Sequence, residues 1–121
     1  MEQTGLLYSE FITQYNFELK KYLTSSGMPF NQAKALMLIG VFGEEDLSQK
    51  ELAELCGIDT PAMSRVIDKL SEEGYIIREK QTVDSRRVNL ELTDKGREKS
   101  SAIIDMYNVG FSNIIYSSWQ L

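Results

Sequence analysis

Residues 48–75 read SQKELAELCGIDTPAMSRVIDKLSEEGY, a run that contains the start and stop signals of two successive helices. Ser48, Gln49, Lys50 and Glu51 have the spacing of a capping box, in which the Ser48 hydroxyl accepts from the Glu51 amide while the Glu51 carboxylate reaches back to the Ser48 amide. Leu47 and Leu52 stand at the positions of a hydrophobic staple. Leu52, Ala53 and Leu55 are the expected buried side of this first helix, and Gly57, free to take a left-handed turn, stops it after about two turns. Beyond Ile58 and Asp59, Thr60 is the expected N-cap of a second helix, with Pro61 at the first helical position, where a missing N–H costs nothing.

Met63, Val66, Ile67 and Leu70 follow at i, i+3, i+4 and i+7, a single apolar stripe on that second helix. Successive 100° steps place Pro61, Ser64, Arg65, Asp68 and Lys69 on the opposite side, free for a partner. Gly74 ends the helix. Tyr75, Ile76, Ile77, Arg78, Glu79 and Lys80 suit a short strand, and Val88 to Leu92 alternate cleanly, with Val88, Leu90 and Leu92 on one face and Asn89 and Glu91 on the other. The connecting residues 81–87 read QTVDSRR, without glycine, so the tip needs a brace. Asp84, two residues before Arg86, supplies one by pairing with its guanidinium and holding it outward. Helix, turn, helix and a hairpin with a basic tip make a winged helix-turn-helix. Short hydroxyl, small apolar and long basic groups on the exposed face suit base edges and phosphates, and an outward arginine suits a narrow minor groove.

Residues from about Ser48 to Gly96 resemble the MarR family (multiple-antibiotic-resistance regulators) of bacterial transcription factors. The resemblance rests on four pieces in order: SQKELAELCGID, MSRVIDKLSEEGYI, the wing DSR, and LELTDKG, in which Thr93 opens the next helix. It implies a sequence-specific DNA-binding regulator, a ligand-responsive repressor. By position, Ser64 and Arg65 match recognition-helix contacts, and Asp84 and Arg86 match the wing aspartate and the arginine that enters the minor groove. The full candidate DNA-binding set adds Ser48, Gln49 and Lys50 at the first helix start, Thr60, Pro61, Ala62 and Lys69 on the second, and Lys80 and Arg87 on the wing.

Charge constrains how such a chain would bind. The net charge is −5, but residues 1–59 carry four Lys or Arg against nine Asp or Glu, whereas residues 60–121 carry nine against nine. Arg65, Lys69, Arg78, Lys80, Arg86 and Arg87 all fall on the recognition helix and wing. Binding then depends on specific geometry and on two units acting together, not on bulk phosphate neutralisation.

The flanks read as helices, giving a mainly α fold with a small antiparallel β-hairpin. Leu7, Phe11, Tyr15, Leu19 and Tyr22 mark a long first helix closed by Ser25, Ser26 and Gly27. Met28, Pro29 and Phe30 connect it to a second helix capped by Asn31 and running through Leu36, Ile39 and Phe42 to Gly43, before the acidic loop Glu44, Glu45 and Asp46. After Thr93 comes a final long helix whose Ile103, Ile104, Tyr107, Phe111, Ile114, Ile115 and Trp119 exceed one solvated face, so part of it should meet another chain.

With 121 residues and 42% apolar side chains the chain is expected to form one domain. The resemblance implies that residues 1–30 and 97–121 are its dimerisation helices and residues 31–96 its DNA-binding unit. The resemblance implies a homodimer whose first and last helices interlock, and an inverted-repeat operator with half-sites about one helical turn apart. Family members usually carry a further C-terminal helix beyond the point, Leu121, where this sequence stops. The resemblance also suggests a small aromatic or phenolic effector, for which Tyr8, Phe11, Tyr15, Phe30, Met37, Met106 and Tyr107 are candidate lining residues, with ordinary core packing as the competing role.

Other chemistries find no support. There is no histidine, which removes the usual zinc sites and Ser-His or Cys-His catalysis, and the single Cys56 can form no intrachain disulfide and is expected to be a buried filler. Glu44 and Glu45, like Glu72 and Glu73, are sequence neighbours suited to helix-end solvation, and there is no glycine-rich phosphate loop. An enzyme is not expected, and no cofactor or metal is implied. Without a run of about twenty apolar residues or a basic-then-apolar N-terminal segment, the expected location is the cytoplasm. The alternative from a different class is a winged-helix module that binds a protein through the same exposed face.

Overall fold

The computed structural model describes the backbone of residues 2–43, 47–80 and 88–119, and the side chains of residues 9–43, 47–78, 90–113, 115 and 116. The element order is α1 (Glu2–Thr24), α2 (Phe30–Phe42), α3 (Gln49–Cys56), α4 (Thr60–Glu72), β1 (Ile76–Lys80), β2 (Val88–Leu92) and α5 (Asp94–Trp119). The strands pair antiparallel in a two-stranded sheet, with Ile76 opposite Leu92 and Arg78 opposite Leu90. The architecture is the mainly helical winged unit with a small hairpin that the sequence predicts.

Each described element contributes to one core. Leu23 of α1, Leu36 of α2, Leu52 of α3, Ile67 of α4, Leu90 of β2 and Ile103 of α5 are all buried to 1% exposure or less. The stripe on α4 lies on this core through Met63, Ile67 and Leu70, with Val66 half-buried at its edge. Leu90 and Leu92 face inward as their alternation requires, while Val88 has its side chain outside the described set. Leu47 and Leu52 of the staple are both buried in the same cluster.

Three local expectations are corrected. Leu55, expected on the buried side of α3, is 45% exposed. On a helix of only eight residues the apolar seam is completed by Leu52, Ala53 and Cys56, which leaves Leu55 to solvent. The cap of α2 is Pro29 in an extended conformation, not Asn31, so that helix begins at Phe30 without a side-chain cap. In the capping box, Ser48 Oγ accepts from the Glu51 amide at 3.1 Å as expected, but the Glu51 carboxylate accepts from the Ser48 hydroxyl at 2.9 Å and not from the Ser48 amide. Gly57 does take the left-handed conformation (φ 71°) that ends α3, a region where a Cβ would be strained.

Candidate nucleic-acid interface

The surface formed by α3, α4 and the hairpin is built from the start of α4 outward. Asp59, in extended conformation, is the N-cap, and its Oδ1 accepts from the Ala62 amide at 2.7 Å. Thr60, expected as the cap, is instead the first helical residue, and Pro61 is the second. Neither arrangement wastes a donor, because the first amides of a helix have no partner within it. The change moves the helix start back by one residue and leaves Thr60 and Pro61 exposed at its tip.

On the outward face Arg65 is exposed, Ala62 and Ser64 are half-buried, and Lys69 is exposed. The two basic groups differ in their surroundings. Lys69 Nζ lies 4.0 Å from Glu72 and 3.9 Å from Glu73, so its charge is partly answered within its own helix. Arg65 has no ion-pair partner among the described residues, and its guanidinium is free for a partner molecule. Ser48 and Gln49 are half-buried and Lys50 is exposed at the start of α3.

Arg78 of β1 turns back to α4 and binds the Asp68 carboxylate. Asp68 belongs to the outward side of the helix, as its spacing indicates, but its role is to tie the root of the wing to the recognition helix. Sequence spacing gives no signal for this pair, because the partners sit ten residues apart on elements of different period. Lys80, Asp84, Arg86 and Arg87 lie outside the described side chains, so the proposed Asp84–Arg86 brace does too.

The candidate effector residues divide into groups. Tyr15 and Tyr107 join α1 to α5 through a 2.7 Å hydrogen bond between their hydroxyls, with Phe11 stacked on Tyr15 at 6.2 Å between ring centroids and Phe111 edge-on to it at 6.0 Å. Burial first, and then the Tyr107 hydroxyl, push the Tyr15 phenol up to about 12. Met106 accepts from Ser25 Oγ at 3.8 Å. Phe30 lies beneath the Lys34 ammonium (5.8 Å to the ring centroid) and Met37 is buried in the core, so both serve the packing of α2. Tyr8 lies outside the described side chains.

Cys56 is buried, and burial pushes its thiol up in pKa against a weaker downward pull from Lys34, which suits a packing residue. No group of three or more potential metal ligands occurs among the described residues. No helix of the described residues is long and apolar enough to cross a membrane.

This geometry has counterparts among known proteins. The chain is 28% identical over 98 residues to the HTH-type transcriptional regulator SarZ of Staphylococcus epidermidis, covering 80% of this chain and 62% of that protein. It spans less than two thirds of the length of the curated relatives it matches. In structure it resembles the Mycobacterium tuberculosis MarR family protein Rv2887 in complex with salicylic acid (TM-score 0.74, 20% identity, 93% of this chain and 82% of that one). It also resembles a Staphylococcus aureus MepR variant bound to an oligodeoxyribonucleotide (TM-score 0.65, 18% identity, 93% and 82%). The MarR family sequence model matches residues 26–87, just over half of the chain and the part that builds α2, α3, α4 and β1. The chain therefore belongs to the MarR family, whose members are transcriptional regulators and not enzymes.

Proposed function

We propose that the protein is a sequence-specific DNA-binding repressor that acts as a homodimer on an inverted-repeat operator and is released by a small aromatic or phenolic effector. The observation that carries this reading is the outward face of α4, where Ser64 and the unpaired Arg65 follow a capped, exposed helix tip. Asp68 and Arg78 hold the wing root beside that face. A helix of this kind fits a major groove, and a wing at its side fits the neighbouring minor groove, where Asp84 and Arg86 are the proposed contacts.

The dimer is supported by the large apolar side chains left on the two long helices. Phe17 of α1 is 68% exposed, and Val109 and Tyr116 of α5 are 55% and 64% exposed. Residues 1–30 and 97–121 are the proposed dimer arms, and residues 31–96 the reading unit. The Phe11, Tyr15 and Tyr107 cluster at the α1–α5 seam is the proposed effector contact, a reading encouraged by the salicylic acid complex of Rv2887. An effector that favours a recognition-helix separation unsuited to successive grooves lowers affinity by its differential binding to the two states.

The test is selection of bound fragments from a random duplex library by the purified protein at moderate salt. Enrichment of an inverted repeat with half-sites about one helical turn apart is expected. If no sequence is enriched, the regulator reading fails and the protein-binding use of the same face takes its place.

A further inference from the structure

The recognition helix is clasped at its C-terminal end by Thr93 and by Lys95 in the first turn of α5. Three successive carbonyls beyond its last turn are taken by two residues. Lys95 Nζ donates to the Glu73 carbonyl at 2.6 Å, and Thr93 Oγ1 donates to the carbonyl of Gly74 at 2.6 Å and lies 3.1 Å from that of Tyr75. The Thr93 amide adds a 3.0 Å bond to the Tyr75 carbonyl. The same Lys95 ammonium lies 4.5 Å from the Tyr75 ring centroid, and Thr93 Oγ1 also accepts from the Gly96 amide at 2.9 Å as the cap of α5. A cation on the carbonyl end of α4 is favoured by that helix's dipole. A Cβ built on Gly96 would come within 1.9 Å of the Tyr75 carbonyl oxygen, so the two backbones are in direct contact.

We propose that Thr93 and Lys95 are positioning residues for operator reading: they lock the orientation of the recognition helix to α5, so that the crossing of the two α5 helices in a dimer sets the half-site spacing that the dimer accepts. This rests on the dimeric regulator reading above. Neither side chain belongs to the proposed DNA-contact face. Their effect is therefore on spacing and not on base preference. Without the clasp, α4 keeps its burial through Met63, Ile67 and Leu70, but its far end pivots against α5 and the dimer tolerates half-sites at other separations.

The test uses the full chain, its Lys95→Met and Thr93→Val variants, and Thr93→Ser, which retains the hydroxyl. Each binds duplexes carrying two copies of the half-site selected by the parent protein, with centre-to-centre distances varied base pair by base pair around one turn. Thermal unfolding and affinity for a duplex with a single half-site are measured alongside. The parent and Thr93→Ser should share one sharp optimum, whereas Lys95→Met and Thr93→Val should lower the ratio between the best and adjacent spacings by about threefold or more. If both variants show the parental profile, or a uniform loss at every spacing that follows their thermal destabilisation, the clasp has only a structural role and the proposal is overturned. A parent that selects no site at all overturns the regulator reading itself, and the clasp proposal with it.

Discussion

Arg78 on β1 is ion-paired with Asp68 on the outward side of α4, a contact that joins the wing root to the recognition helix. The side chains are 33% and 54% exposed, so solvent screens much of the attraction. A double-mutant cycle of Asp68→Ala and Arg78→Ala in urea unfolding should give a coupling of about 0.2–1 kcal/mol, smaller at high salt. Strictly additive single effects would show that the pair does not couple the two elements.

The N-cap of the recognition helix is Asp59, not Thr60. Asp59→Ala should destabilise the fold by about 1 kcal/mol, because it leaves the Ala62 amide without its acceptor, whereas Thr60→Ala should change stability by less than about 0.5 kcal/mol. Equilibrium denaturation of the two variants separates these outcomes. A larger loss from Thr60→Ala would return the cap to that residue.

This position also marks where reading the sequence stops short. The Ser48 cap on the Glu51 amide, the turn at Gly57 and the stripe of Met63, Ile67 and Leu70 were legible because the partners lie within one or two helical turns and obey a single period. Asp59 and Thr60 are adjacent and both are competent caps, so local chemistry does not choose between them. Contacts between elements carried no periodic signal at all. Asp68 with Arg78, Lys95 with the end of α4, and Tyr15 with Tyr107 across 92 positions all depend on packing that only the assembled fold supplies. The basic face of α4 was legible as a composition, and the difference between a free Arg65 and a Lys69 held near two glutamates also has a signal in the spacing, because Glu72 and Glu73 follow Lys69 at i+3 and i+4 on the same helix.

Gly96 is required by a close approach. Its substitution by alanine drives a methyl into the Tyr75 carbonyl oxygen, a backbone atom that cannot rotate away. Gly96→Ala should lower the unfolding free energy by about 1–3 kcal/mol or more, read as a lower thermal midpoint. Gly110→Ala meets the Tyr22 ring instead, a side chain that can shift, and should cost less. Equal midpoints for the parent and Gly96→Ala would contradict the contact.

Burial of the Tyr15 phenol, and after it the hydrogen bond to Tyr107, ties stability to alkaline pH. The Tyr15 phenol ionises near 12 in the folded protein against an ordinary value of 10. The folded state therefore holds its proton more tightly than the unfolded chain, and the stabilisation is fully present below pH 10 and lost as pH rises from about 10 towards 12. Urea midpoints should fall over that window, and Tyr15→Phe should show a shallower fall. An identical pH profile in the variant would show that Tyr15 does not set it.

The outward face of α4 is the centre of the account, and the measurement that tests it most directly is the affinity of the Arg65→Ala variant for the duplex that the parent selects, titrated over a salt series. A loss of about 1–3 kcal/mol relative to the parent is expected, with relaxed preference at the contacted base pair and unchanged thermal stability. An Arg65→Ala protein that binds with parental affinity and the same base preference would contradict it.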